Sequence, residues 1–345
     1  MTLPLVSVIL PFYRNPLVRE AVESILGQTY PEFELIAIDD CSGNGVADLL
    51  KDISDPRFRL VVRETNGGEN ATRNHGISLA RGKYVAFQDH DDISYPTRME
   101  TQVGFLEAYP YILGCGTACH YGEQKIPHNP PIDSRLLRWE MIFNNHVMFP
   151  TVMARTEVAR KHPFGDMVAT DDYRWLHEIM AEGSFVNLPE LLFHYRMQPT
   201  SLSRERADTQ LANQDICRGL FAADAGVACD ADEIRLLRWL GTPLGGSWPS
   251  TSHLDAAATL LERLVSAFLA HSPGNASPIV DSGLGRLRFA TTVSAGFGLD
   301  AFRPFQRFRI SQGRSVRVAE IKLLSKCIMG GLGLAGNRTF QESAS

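Results

Sequence analysis

Four short apolar runs, at residues 6–10, 33–38, 58–62 and 84–87, alternate with segments of helical spacing along the first part of the chain. The first and last are almost wholly aliphatic, β-branched or aromatic, as strands inside an α/β sheet are. Residues 16–28 put Val18, Ala21, Val22, Ile25 and Leu26 on one side of a helix. Residues 46–53 predict a second helix. Residues 70–80 predict a third, after the Gly67-Gly68 turn and with Gly82 just past its end. This βαβαβαβ order implies a mainly parallel sheet with helices on both faces. Ligands of such sheets bind beyond the carboxyl ends of the strands.

Three strands end in groups that could meet a ligand there: Pro11-Phe12-Tyr13, Asp39-Asp40 and Asp89-His90-Asp91-Asp92. The last crowds three carboxylates together, which repel unless a positive charge sits among them. A hard cation such as Mg²⁺, held by one or two carboxylates and substrate phosphates, would relieve them. The other reading is an acidic turn capping the next helix, with Asp92 or Ser94 as N-cap ahead of Pro96.

The three ends share a chemistry. Phe12 or Tyr13 offers a flat surface for a nucleotide base. Asp40 and Asp89 offer acceptors for ring N–H or ribose hydroxyl groups. Arg73, together with a metal at Asp91, offers positive charge to a diphosphate. Singly, each has a plainer role: Tyr13 in packing, Asp40 in a turn or cap, Arg73 as a solvated helix charge. Residues 11–15 read Pro-Phe-Tyr-Arg-Asn where a dinucleotide enzyme carries Gly-x-Gly-x-x-Gly, and no Gly-Lys-Ser/Thr loop is present. Hydride transfer and P-loop NTP hydrolysis are set aside.

With 345 residues, 44% of them hydrophobic, the chain has material for one large domain with an appendage or for two domains. A formal net charge of −5 argues against nucleic acid as the main partner. No run reaches the roughly 18 apolar residues that read as a membrane span. The N-terminus lacks a signal-peptide pattern. Six dispersed cysteines form no compact disulfide framework, so a cytoplasmic location is expected. Cys115, Cys119 and His120 match no common zinc spacing and read as buried groups on an apolar segment.

Several stretches resemble the family-2 glycosyltransferases of the GT-A fold. They are Val-Ser-Val-Ile-Leu-Pro-Phe-Tyr (6–13), Ser-Ile-Leu-Gly-Gln-Thr-Tyr-Pro-Glu-Phe-Glu-Leu (24–35) and Ile-Asp-Asp-Cys-Ser (38–42). Asn-Gly-Gly (66–68), Ala-Thr-Arg-Asn-His-Gly (71–76) and Ala-Arg-Gly-Lys-Tyr-Val-Ala-Phe-Gln-Asp-His-Asp-Asp (80–92) continue the series in the family's order and spacing. The resemblance implies that Pro11 and Tyr13 line the base pocket. It implies that Asp40 contacts uracil with Asp39 in support, and that Arg73 lies near the nucleotide. Asp89 and Asp91 fall on the Asp-x-Asp motif, Asp89 toward the ribose and Asp91 on a divalent cation, Mg²⁺ or Mn²⁺, with Asp92 supporting the loop. Arg14 stands in place of the commoner asparagine, and Cys41 in place of the glycine after Asp-Asp. Glycine tolerates a positive φ far better than cysteine does.

Farther on, residues 146–153 resemble the family's strand and loop beneath the acceptor. Thr170-Asp171-Asp172-Tyr173 resembles its Glu-Asp-Tyr motif at a helix start. Asp172 matches the general base and Asp171 reads as the better helix cap. A carboxylate at a helix N-terminus is expected to stay ionised. His194-Tyr195-Arg196 resembles the segment that closes over the donor, with His194 either a further metal ligand or a packed histidine. The implied reaction moves a sugar from a nucleotide-diphosphate donor, UDP being favoured, to a hydroxyl of a glycan or lipid-linked acceptor with inversion. The setting would be polysaccharide, lipopolysaccharide or other glycoconjugate synthesis. The Arg-Trp pairs at 138–139 and 238–239 lack the glutamine of processive synthases, which favours single-sugar addition. A nucleotidyltransferase would show a Gly-rich loop and a lysine after the first strand. A non-catalytic nucleotide-sugar binder would have no need of Asp172.

The expected organisation is a GT-A catalytic domain over 1–204, with a donor half at 1–120 and an acceptor half at 121–204. A helical region at 205–333 and a flexible tail at 334–345 follow. Within 205–333, residues 207–224, 232–240 and 254–271 read as amphipathic helices, with a Gly/Pro/Ser-rich loop at 241–253. Residues 302–329 mix seven basic side chains with apolar and aromatic ones. They read either as a contact with an anionic membrane surface or as a solvated helical face.

Overall fold

In the computed structural model, β1 (Val6–Phe12) pairs in parallel with β2 (Phe33–Asp39) and with β4 (Tyr84–Phe87), and β3 (Phe58–Val62) pairs in parallel with β2. Residues 2–43, 45–167, 169–197, 207–241, 248–315 and 318–331 are described. Every residue of β1, β2 and β4 is buried, which is why their sequences do not alternate. Helices α1 (Val18–Leu26) and α3 (Arg98–Ala108) cover one face. Their Val18, Val22, Met99 and Val103 join Val8 and Leu10 in one core. Helix α2 (Gly68–Leu79) covers the other face at very short range, since a Cβ on Gly76 would lie 2.4 Å from Ile9 Cγ2 and 2.9 Å from Ile38 Cδ1.

The helix expected at 46–53 is only a single 3₁₀ stretch, Val46–Leu50. It begins after Gly45 at φ 80 and leaves too few residues before Pro56 to nucleate an α-helix.

Strands β5 (Ile93–Ser94), β6 (Ile112–Tyr121), β7 (Ile126–His128), β8 (Met153–Arg155) and β9 (Ser184–Tyr195) extend the sheet to the order β3-β2-β1-β4-β8-β6-β9-β5, with β7 beside β6. Here the sheet is mixed: β8 runs antiparallel to β4 and β6, β6 and β9 are parallel, and β5 is antiparallel to β9. Helices α4 (Ser134–Glu140), α5 (Thr156–Lys161) and α6 (Asp171–Glu182) connect these strands.

Contacts divide the chain into two compact units, Met1–Arg138 with Asn145–Cys217, and Trp139–Asn144 with Arg218–Ser345. The dividing point falls inside α7 (Ala207–Asp224). The expected boundary at 204/205 and the expected tail at 334–345 lie outside the described residues, as do residues 242–247 of the 241–253 loop. The second unit contains α8 (Ala231–Gly241), α9 (Thr251–His271), α10 (Ser277–Val293), α11 (Leu299–Ser311) and α12 (Val318–Gly331). Its core takes Leu261, Leu264 and Phe268 from α9 and Phe302, Phe305 and Phe308 from α11. Both Arg-Trp tryptophans pack there: Trp139 against Phe143 and Phe268, Trp239 against Trp248 and His253. Among the described residues no helix is long and apolar enough to cross a membrane.

Candidate active site

The carboxyl ends of β1 and β2 are tied together by a short relay. Asp39 accepts the Ser42 N–H at 2.9 Å and the Ser42 hydroxyl. Ser42 Oγ accepts the Arg14 N–H at 2.9 Å, and its carbonyl accepts Arg14 Nε at 3.1 Å. Tyr13, just past β1, is 41% exposed, with the Arg14 guanidinium 4.9 Å from its ring centre. Pro11 is buried, in register with Ile38. Arg14 and Cys41 adopt φ 54 and φ 61, so both departures from the family pattern occupy left-handed backbone. Asp40 closes the start of α2, accepting the N–H groups of Gly67 at 3.0 Å and Gly68 at 2.8 Å as well as the Arg63 guanidinium.

The acidic loop after β4 is held by arginines. Arg98, fully inside the fold, donates to Phe87 O at 2.8 Å and Ser94 Oγ at 2.7 Å. Burial lowers its pKa to about 10 against the pull of Asp89 and Asp92. The Arg196 backbone N–H donates to Asp92 Oδ1 at 2.8 Å, and its side chain reaches Asp91 O and Glu20 Oε2. Asp92 Oδ2 is buried with no hydrogen-bond partner. Burial, then the charges of Asp89 and Asp91, push its carboxyl well above the usual range. The Asp91 carboxylate has no protein partner among the described residues. His194 is brought opposite Ile93 by the β5–β9 pairing, and its Nε2 lies 3.0 Å from Gly122 O.

Arg73 links this loop to the start of α6. Its guanidinium meets Asp171 at 2.7 Å, Glu69, and Asp89 at 3.5 Å, and rests 4.6 Å from the Phe149 ring centre. Burial works against that charge, but Glu69, Asp171 and Asp89 outweigh it, so Arg73 stays protonated. Asp89 and Asp171 are each pushed to about 7 by burial; Arg73 opposes the shift, and Glu69 and Asp172 add to it. Asp172 accepts the Asn145 amide at 2.9 Å. Its pKa is also raised, since burial exceeds the lowering by the Tyr173 N–H and Arg73.

A divalent cation fits this arrangement. Like charges crowd at 89–92, the Asp91 carboxylate is open, and one buried oxygen of Asp92 is unmatched. No group of three His, Cys, Asp or Glu side chains among the described residues could hold an ion alone. Magnesium-type sites of one or two carboxylates are completed by phosphates and water.

The Glycosyl transferase family 2 profile matches residues 7–162. An uncharacterized glycosyltransferase of Haemophilus influenzae is 30% identical over 219 residues, which is 58% of this chain and 68% of that protein. This chain belongs to glycosyltransferase family 2. Other curated relatives differ in length, and the chain spans from 19% to 81% of them. Among solved structures, S. aureus TarS 1–349 in complex with UDP-GlcNAc aligns with a TM-score of 0.54 at 15% identity, over 90% of this chain and 93% of that one. Mannosyltransferase PcManGT from Pyrobaculum calidifontis, in complex with GDP-Man and Mn²⁺, aligns at 0.53 and 17%, over 98% and 89%. The fold is therefore GT-A with a helical C-terminal region, and the chain is a transferase.

Several residues that build the site in this glycosyltransferase escape sequence reasoning. Asn74 exchanges two 2.8 Å hydrogen bonds with the Phe164 backbone, holding α2 to the segment that leads into α6. Arg63, Arg98 and Asn145 likewise act through partners elsewhere in the chain, and Glu69 through Arg73 one helical turn on. Asn74 alone lies within a family motif, 71–76, and that motif names no partner for it. Cys115 and Cys119 are fully buried on β6, where burial pushes both thiols to about 12, and the His120 ring lies 2.8 Å from the Tyr95 hydroxyl.

Proposed function

We propose that the chain transfers one sugar from a nucleoside-diphosphate sugar, with UDP as the carrier, to an acceptor hydroxyl with inversion at the anomeric carbon. Arg73 carries the reading: its guanidinium joins Asp89, on the donor side, to Asp171, the neighbour of Asp172. Residues 1–120 form the donor half and 121–204 the acceptor half, with 205–333 appended.

Pro11 and Tyr13 flank the base. A carboxylate offers about four acceptor positions; the protein uses three on Asp40, leaving one for a ring N–H, which suits uracil. Asp89 faces the ribose, Asp39 and Asp92 support the two loops, and Arg73 adds positive charge beside the nucleotide. Asp91, with His194 as a further candidate, would hold Mg²⁺ or Mn²⁺, which would supply positive charge for the departing diphosphate.

Asp172 takes the proton of the acceptor hydroxyl. The oxygen then attacks the anomeric carbon from the face opposite the diphosphate, and that C–O bond breaks as the glycosidic bond forms. One displacement inverts the centre. The raised pKa makes Asp172 a stronger base than an ordinary carboxylate. The acceptor is a glycan or lipid-linked glycan in glycoconjugate synthesis, met in the cytoplasm at the inner face of the membrane.

Asp172→Asn is expected to lower transfer by about 10²–10⁴-fold with UDP binding intact. Full transfer by this variant, with Asp91→Ala inactive, would overturn the base assignment. Activity unchanged by EDTA would remove the cation.

A further inference from the structure

Among the described residues, which leave out Arg317, the basic stretch at 302–329 narrows, once folded, to one cleft. Phe302, Phe305 and Phe308 are core, while Arg303, Arg307, Arg309 and Arg314 meet Asp300, Asp255, Glu320 and Asp281. Lys322 and Lys326, one turn apart on α12, are exposed and make no ion pair among the described residues. Arg288 on α10 is exposed and unpaired in the same sense. These three line a cleft of about 460 Å³ with Phe289, Thr292 and Leu323, and no acid lines it. Beside it, Ile321, Ile328 and Met329 also face solvent.

We propose that this cleft and the adjoining face of α12 dock on a membrane bearing anionic phospholipid. A headgroup phosphate sits between Arg288, Lys322 and Lys326, and Ile321, Ile328 and Met329 enter the acyl boundary. The charge argument is local: the chain as a whole carries −5, so three unpaired cations without a nearby acid mark a place where an anion is wanted. A soluble phosphate would satisfy the cations and leave the aliphatic side chains in water. An amphipathic face with both features is what binds a lipid interface. The proposal deepens the reading of a lipid-linked acceptor, which would be met at such a surface, but binding itself does not depend on catalysis.

The test is co-sedimentation of the full chain with phosphatidylcholine vesicles, with and without phosphatidylglycerol, at physiological ionic strength. Wild type is expected on the anionic vesicles alone and is released by high salt. The variant Arg288→Gln/Lys322→Gln/Lys326→Gln is expected to lose about 100-fold in partition, at roughly fivefold per basic residue near the lipid. Arg59→Gln/Lys125→Gln/Lys161→Gln, an equal charge loss elsewhere, keeps binding. Ile321→Ser/Ile328→Ser weakens it several-fold. No binding by wild type, equal binding to neutral vesicles, or equal loss in both triple variants overturns the proposal. So does a melting-temperature rise with inorganic phosphate, lost in the cleft variant, when vesicles are not bound; the occupant is then a soluble phosphate. UDP-sugar hydrolysis without vesicles stays at the wild-type level in the cleft variant, so failure here and failure of the transferase reading are separable.

Discussion

Arg14 and Cys41 show how a local departure is absorbed at the carboxyl ends of β1 and β2. A left-handed backbone costs a non-glycine residue about 1–2 kcal/mol. Arg14 is compensated by two hydrogen bonds to Ser42, whereas Cys41 has only a 3.4 Å contact from Sγ to Glu64 O. Cys41→Gly is therefore expected to stabilise the protein by about 1 kcal/mol, raising the melting temperature by about 2 °C. A lower melting temperature would mean that the thiol contact outweighs the strain. Asp89 and Asp171, both near 7 in the folded chain, give a second expectation. Between about pH 4 and the folded value, the native state holds more protons than the unfolded one, so stability falls as pH rises through that window and then levels. Denaturant midpoints at about pH 5 and about pH 8 check the sign; a higher midpoint at the upper pH would contradict it. Mn²⁺ is expected to lessen the fall, because it favours the ionised carboxylates.

Among the elements, α2 matters most, because it carries Arg73 and packs against β1 and β2 with no room for a Cβ at Gly76. Gly76→Ala is expected to cost about 1–3 kcal/mol through overpacking. Transfer should fall as Arg73 moves with the helix. A variant with wild-type stability and activity would show that the helix shifts freely. The four parallel strands were legible because each was a short apolar run ending in turn or polar residues. The segment at 46–53 misled because helical spacing over a few residues cannot outweigh the cost of starting a helix. The mixed half of the sheet was less legible: β8 has only three residues, and its antiparallel pairing depends on strands far away in sequence.

For the whole molecule, the roles proposed for Asp91 and Asp40 would make donor binding and cation binding one event. UDP with Mn²⁺, at a hundredfold excess over its Kd, is expected to stabilise by about 2.7 kcal/mol and to raise the melting temperature more than GDP with Mn²⁺ at the same concentration. EDTA should cancel the rise. A larger shift with GDP would reassign the base. In the C-terminal unit, the sequence displayed a basic and aromatic stretch but not its partition. Burial took the phenylalanines and ion pairs took four arginines, leaving two lysines of that stretch in the cleft.

The sequence by itself determined the parallel half of the sheet, the positions of the acids at its strand ends and, through the motifs on them, the family. Those depend on strand runs, turn residues and spacing, all local in the chain. Only the tertiary structure decided which charges meet. Arg73 and Asp171 are 98 positions apart, and Arg196 and Asp92 are 104 apart. Their pairing follows from how helices and strands pack, and so does the burial that raises the carboxylate pKa values. Desolvation is a property of the assembled site, and no single stretch of sequence carries it.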